Sequence, residues 1–145
     1  DFVTKKIING VKNIKNKKQD YIALGNLNSR RDWGHSKDYV YGMWLMLQQT
    51  EPDDYVLATG KTTSVREFIE KTFQKIGVDI EWNGTGVHEI GKDSKTGKIL
   101  VNIDEKYFRP CEVELLLGDP TKAEIQLGWK REFDLDKLIE DMMMV

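Results

Sequence analysis

The chain has 145 residues, of which 22 are Lys or Arg and 24 are Asp or Glu, so its formal net charge is −2. This balance excludes a general electrostatic attraction for nucleic acid or for a membrane surface, and the length predicts one domain with a buried core. The single cysteine, Cys111, excludes an internal disulfide and favours a reducing, cytoplasmic compartment.

The first half of the chain predicts three helices and two strands. In order, they are a helix over 1–18, a strand over 21–24, a helix over 37–49, a strand over 55–58 and a helix over 65–76. Helical spacing of apolar residues predicts the first helix and the buried side of the third, and Ser64 with Glu67 has the form of a capping box, which predicts the start of the third. One face of the second helix is expected in the core, and it consists of Val40, Met43, Trp44 and Leu47.

The second half predicts more strands and two short helices. The elements are a strand over 79–82, an exposed loop or hairpin over 88–98, a strand over 99–103, a loop over 107–112, a helix opened by Asp119-Pro120 and ended by Gly128, and a last helix over 135–144 capped by Asp134. Because strands alternate with helices throughout, the predicted class is α/β without an internal domain boundary.

Standard catalytic motifs are absent from the sequence. It contains no G-x-G-x-x-G, no G-x-x-x-x-G-K-[ST] and no G-x-S-x-G. Its two histidines, His35 and His88, and its one cysteine form no metal-ligand spacing. The sequence therefore predicts no catalytic, cofactor-binding or metal-binding residues in this chain.

Two loops combine an arginine with an aromatic residue. RRDWGH holds Arg31, and YFRPCE holds Arg109. Two guanidinium groups that converge on a diphosphate supply both charge and planar donor geometry. Each arginine alone is more typical of a solvated surface charge, so the prediction depends on the two loops taken together.

Neighbouring residues extend this prediction to a nucleotide. Glu112, three residues after Arg109, can accept hydrogen bonds from a ribose diol, and Gly25-Asn26 lets the backbone approach a ligand closely.

These segments resemble the C-terminal part of the GDP-mannose 4,6-dehydratase family of extended short-chain dehydrogenase/reductases. The resemblance covers essentially the whole chain and is carried by FVTKKI, LGNLNSRRDWGHSKDYV, YVLATG with SVREF, YFRPCEVELLLGDPTKA and LGWK. The sequence departs at Ser36 and Cys111, where the family has alanine and a small residue. The resemblance implies an α/β, C-terminal substrate-binding part over 1–145, in which the strand 55–58 belongs to the Rossmann sheet.

The resemblance also implies roles for particular residues. Arg31 and Arg109 would bind the diphosphate and Glu112 the ribose. The guanine pocket would involve Leu24, Gly25, Asn26 and Val65. The residues expected to shape the loop rather than contact the ligand are Asp32, Trp33 and His35, with Asp38 as a helix cap.

For the whole enzyme, the resemblance implies conversion of GDP-mannose to GDP-4-keto-6-deoxymannose with NADP, in a homo-oligomer. The family carries its glycine-rich cofactor turn and its Y-x-x-x-K motif in an N-terminal Rossmann half. That half is absent here, and the chain starts Asp1-Phe2 without a Met, so we expect a fragment or a processed product that is inactive alone. Two alternatives remain open: a free-standing, non-catalytic nucleotide-sugar-binding module, and a domain that binds a protein partner.

Overall fold

A computed structural model describes residues 2–109 and 111–145, so Asp1 and Pro110 lie outside the described part. The helices are α1 (Val3–Lys15), α2 (Ser36–Leu47), α3 (Val65–Gln74), α4 (Thr121–Leu127) and α5 (Leu135–Met144). The strands are β1 (Ile22–Leu24), β2 (Arg30–Arg31), β3 (Thr63–Ser64), β4 (Ile80–Asn83), β5 (Ile90–Asp93) and β6 (Ile99–Ile103). None of the helices in this described part is long and apolar enough to cross a membrane.

The main sheet has the strand order β1-β6-β5-β4. β1 and β6 pair in parallel with Ile22 opposite Val101, whereas β6, β5 and β4 are successive antiparallel neighbours. The hairpin alternative for 88–98 is therefore confirmed, as are the strands predicted over 79–82 and 99–103. β2 and β3 form a separate two-stranded antiparallel sheet, in which Arg31 lies opposite Thr63.

The main hydrophobic core joins α1, α3 and α5 to the sheet. Its buried members are Ile7, Ile8, Val11, Ile22, Leu24, Leu27, Val65, Phe68, Ile69, Phe73, Leu100, Val101 and Ile139. The helical spacing in the sequence correctly predicts the buried faces of α1 and α3. Both bonds of the predicted capping box at Ser64 and Glu67 are present, and Gly128 ends α4 in the left-handed conformation with φ 64°.

The core assignment for α2 is wrong. Its predicted inner residues are largely exposed, with Val40 at 64%, Met43 at 56%, Trp44 at 54% and Leu47 at 82%. The face that packs inward carries Tyr39, Leu45 and Met46, which pack on a second cluster around Trp129. Gly42 explains this orientation, because a Cβ there would lie 2.7 Å from Leu57 Cδ1, so glycine allows the helix to approach closely.

The predicted strand over 55–58 is also wrong as a strand of this structure. Leu57 packs against the Trp129 cluster, but residues 55–58 belong to none of the β-ladders of the described chain. A strand requires a neighbour to pair its main-chain groups, and within the described residues none is aligned with this segment.

Candidate functional site

Arg31 and Glu112, which lie 81 residues apart in the sequence, form an ion pair. Arg31 Nη2 donates to Glu112 Oε1 at 2.9 Å, and both side chains are only about one-fifth exposed, at 20% and 23%. Arg31 Nη1 donates to the carbonyl oxygen of Arg30 at 2.9 Å. The first arginine loop and the end of the second are therefore in direct contact, as the prediction requires.

The chain that follows Glu112 runs beside β2. Arg30 N donates to Glu114 O at 2.7 Å, and Leu116 N donates to Arg30 O at 3.1 Å. These bonds form a parallel bridge between Arg30 and Leu115. This bridge holds the segment that begins at Glu112 beside β2, where the side chain of Arg31 reaches Glu112.

The predicted glycine turn also reaches the second arginine loop. A Cβ on Gly25 would lie 2.5 Å from the carbonyl oxygen of Tyr107, so only glycine fits against this backbone. Asp104 N donates to Leu24 O at 2.9 Å and fixes the same approach. Arg109, two residues beyond Tyr107, is exposed, so its guanidinium is accessible to a ligand.

The remaining predicted binding residues lie in less accessible positions. Leu24 is 3% exposed and Val65 is 6% exposed, and both belong to the core. Their side chains therefore pack in the core, and only the main chain of Leu24 lies at the glycine turn. Asn26 Oδ1 accepts a hydrogen bond from Asn28 N at 2.9 Å, which closes the turn on itself.

Beside this turn lies a cavity that the sequence analysis missed. Its volume is about 640 Å³, and its lining includes Lys6, Tyr21, Ala23 and Tyr107. Lys6 Nζ is 3.2 Å from the centre of the Tyr107 ring, a cation–π contact. In the sequence, Lys6 belongs to the FVTKKI segment. Nothing in that segment indicates that Lys6 contacts Tyr107, about 100 residues later.

The residues expected to shape the first loop do so. Trp33 packs on Phe68 of the core with ring centres 4.9 Å apart. His35 is 6% exposed and stacks on Phe133 at 4.3 Å. Its Nδ1 accepts a hydrogen bond from Lys37 N at 3.1 Å, so His35 is the N-cap of α2.

The capping role predicted for Asp38 is wrong. Asp38 lies in the first turn of α2, but its carboxylate accepts hydrogen bonds from Glu132 N at 3.0 Å and Phe133 N at 3.2 Å in another segment, and the side chain that caps the helix is that of His35. Asp38 is 4% exposed, so this buried carboxylate links α2 to the segment before α5.

Two ionisable groups near the predicted binding loops have shifted pKa values. The Lys106 side chain donates a hydrogen bond to Asp104, which lowers the pKa of that carboxyl below its usual range. The pKa of Tyr39 is raised, first by burial and then by the negative charge of Asp32. Among residues 2–109 and 111–145, no cluster of three or more His, Cys, Asp or Glu side chains is arranged to hold a metal ion.

Solved structures show which fold this chain has. RMD from Pseudomonas aeruginosa, complexed with NADPH, superposes with a TM-score of 0.78 at 17% identity and covers 99% of this chain and 41% of that one. UDP-glucose 4-epimerase from Bifidobacterium longum, with NAD+ and UDP, gives 0.70 at 19% identity, over 98% of this chain and 38% of that one. The fold is that of part of an extended short-chain dehydrogenase/reductase.

The sequence places the chain more narrowly. The model of the family described as GDP-mannose 4,6 dehydratase matches residues 1–142, and the chain belongs to that family. A GDP-mannose 4,6-dehydratase of Sinorhizobium fredii is 53% identical over 98% of this chain and 40% of its own length. The Homo sapiens relative of the same name is 50% identical over 99% of this chain and 38% of its own length. The chain thus spans about two-fifths of these relatives.

Proposed function

We propose that this chain is the GDP-sugar-binding part of a GDP-mannose 4,6-dehydratase, C-terminal to an NADP-binding Rossmann half. The complete enzyme converts GDP-mannose to GDP-4-keto-6-deoxymannose with NADP, as a cytoplasmic homo-oligomer. The observation that carries the proposal is the 2.9 Å contact between Arg31 and Glu112, which unites the two arginine loops.

Each group has a defined task in this proposal. Arg31 and Arg109 neutralise the diphosphate and offer planar donors to its oxygens. Glu112 accepts hydrogen bonds from the ribose hydroxyls. The turn of Gly25 and Asn26 borders the guanine.

The residues of this chain do not fit NADP. A dinucleotide site of the Rossmann type needs a glycine-rich turn that leads into an open helix N-terminus. The start of α3 is closed instead, because the carboxylate of Glu67 already accepts a hydrogen bond from Ser64 N at 2.7 Å. The cofactor and the hydride chemistry that it supplies therefore belong to the other half, and this chain alone is expected to be inactive.

The outer surface of α2 supports the presence of that half. Its exposed apolar residues are Val40, Met43, Trp44 and Leu47. A contiguous apolar helix face on the surface is characteristic of a buried interface in the complete molecule. Residues 55–58 pack beneath α2 and belong to no β-ladder of the described chain, so their main chain is available to pair with the sheet of that half.

The test uses the 145-residue chain and a chimera, in which the chain replaces the matching part of the Sinorhizobium fredii relative. Calorimetric titration should show binding of GDP and not of UDP, and only the chimera should dehydrate GDP-mannose. Arg31→Ala and Arg109→Ala should each weaken GDP binding by about 1 kcal/mol or more, roughly fivefold.

Arg30→Ala is the matched control. The Arg30 guanidinium points to Thr62, with Nε 3.1 Å from Thr62 Oγ1, so its loss should leave GDP affinity within about twofold. Wild-type affinity in both the Arg31 and Arg109 variants would refute the assigned roles. GDP binding by an inactive chimera would favour the free-standing binding module instead.

A further inference from the structure

The carboxylate of Asp32 connects three separate segments. Its Oδ1 accepts hydrogen bonds from Thr59 N at 2.9 Å and from Thr59 Oγ1 at 2.6 Å. Its Oδ2 accepts from Gly60 N at 3.0 Å and from Gly118 N at 3.3 Å. One side chain therefore joins the RRDWGH loop to the YVLATG segment and to the LLLGDP segment.

The bond to Gly118 lies at the far end of the segment that carries Glu112. Residues 112–118 are attached to β2 at Glu114 and Leu116 through the main chain of Arg30. At Gly118 the segment also lies close against Ala58, since a Cβ added to Gly118 would be 2.2 Å from Ala58 Cβ. The register of residues 112–118 along β2 thus depends on main-chain bonds at Arg30 and on the carboxylate at its end.

This register determines where Glu112 lies. Glu112 lies three residues before Leu115, the bridge partner of Arg30, so a displacement of this bridge along β2 moves Glu112 as well. Glu112 would then leave Arg31, and the proposed ribose and diphosphate contacts would no longer face one ligand. The carboxylate is adjacent to Arg31 in sequence, so it fixes both partners of the ion pair.

We propose that Asp32 is a positioning residue for nucleotide binding, which acts through the register of residues 112–118 and not by contact with the ligand. The inference rests on the proposed function, because it assumes that Arg31 and Glu112 bind GDP. An asparagine keeps one acceptor oxygen but turns an amide N–H toward N–H donors that need an acceptor. A charged acceptor shared by several donors is therefore specific to aspartate at this position.

The experiment measures GDP affinity of Asp32→Asn in the 145-residue chain and in the chimera. The affinity should fall by about tenfold or more. Asp20→Asn is the matched control, since that carboxylate is 83% exposed in a surface pair with Lys98, and its affinity should equal that of the wild type.

A double-mutant cycle separates positioning from a general loss of stability. If Asp32 acts through Glu112, Asp32→Asn combined with Glu112→Gln should lose little more affinity than the more damaging single change. Unchanged affinity in a folded Asp32→Asn, or fully additive losses, would overturn the inference. Absence of GDP binding by the wild-type chain and chimera would instead refute the proposed function.

A milder variant covers the case in which Asp32→Asn does not fold. Thr59→Val removes the hydroxyl donor to Asp32 Oδ1 and keeps the main-chain donor. It should reduce GDP affinity by about threefold, with weaker protection of the Gly118 amide from hydrogen exchange. Wild-type affinity and exchange in Thr59→Val would contradict the role of Asp32.

Discussion

Asp38 should be among the most sensitive positions for stability, although it lies outside the proposed nucleotide site. Its buried carboxylate accepts hydrogen bonds from two main-chain groups, Glu132 N and Phe133 N. A hydrogen bond to a charged group contributes about 1.5–3 kcal/mol. Asp38→Ala leaves both donors without an acceptor and should therefore cost about 3–5 kcal/mol, a large part of the stability of an ordinary domain.

The order of a variant series tests this reasoning more sharply than one value. Asp38→Asn keeps an acceptor for one of the two donors, so it should lose about half as much as Asp38→Ala. Asp20→Ala removes an exposed carboxylate that is 3.0 Å from Lys98, and such surface pairs contribute about 0–1 kcal/mol. The expected order of stability is wild type and Asp20→Ala, then Asp38→Asn, then Asp38→Ala.

Urea unfolding of the 145-residue chain, followed by tryptophan fluorescence and far-ultraviolet circular dichroism, measures the series. With a slope of about 1.5 kcal/mol per molar urea, a loss of about 3 kcal/mol lowers the midpoint by about 2 M. A midpoint for Asp38→Ala close to that of Asp20→Ala would refute the assignment of Asp38 as the link between α2 and the segment before α5.

Three further outcomes follow from particular contacts. Arg31→Lys should recover only part of the GDP affinity lost in Arg31→Ala, because an ammonium cannot reproduce the planar donors of a guanidinium. A calorimetric titration in which Arg31→Lys binds GDP as tightly as the wild type would contradict this. The pKa of Glu67 is lowered, first by the hydrogen bond from Ser64 N, so its contribution to stability is present above pH about 4.3 and is lost as the pH falls through the lowered value. Glu67→Gln should therefore flatten the acid side of the stability curve, which urea midpoints at pH 7 and pH 3 would show. Phe68→Ala, at a side chain that is 0% exposed, should cost about 3–5 kcal/mol in urea unfolding, whereas Ile125→Ala, at 76% exposure, should cost almost nothing.

Local patterns predicted the elements whose packing follows their own periodicity. α1 and α3 have one apolar face each, so spacing alone identified their buried residues. α2 is apolar nearly all round, and its inner face is set by Gly42, which has no side chain and gives no signal in a hydrophobic pattern. The sequence therefore could not show which face of α2 packs against Leu57.

The prediction of a strand at residues 55–58 was wrong for a different reason. Its residues suit a strand, but a strand exists only when another strand pairs with it, and pairing is a property of the whole fold. The same argument applies to β2. Its residue types predict a loop, and the strand forms only by pairing with Thr63 and Ser64, more than 30 residues later.

Residue types indicate the two arginine loops but do not indicate how the loops meet. The two arginine loops were identified from residue types, but the contact between Arg31 and Glu112 depends on the parallel bridge at Arg30. Within the described residues, the hydrogen bonds of Arg31 occupy Nη1 and one hydrogen of Nη2. Its Nε–H and the second Nη2 hydrogen are left for a ligand. A phosphate oxygen can then bind to Arg31 while the ion pair to Glu112 persists, so the two residues can hold one nucleotide together without breaking the contact that aligns them.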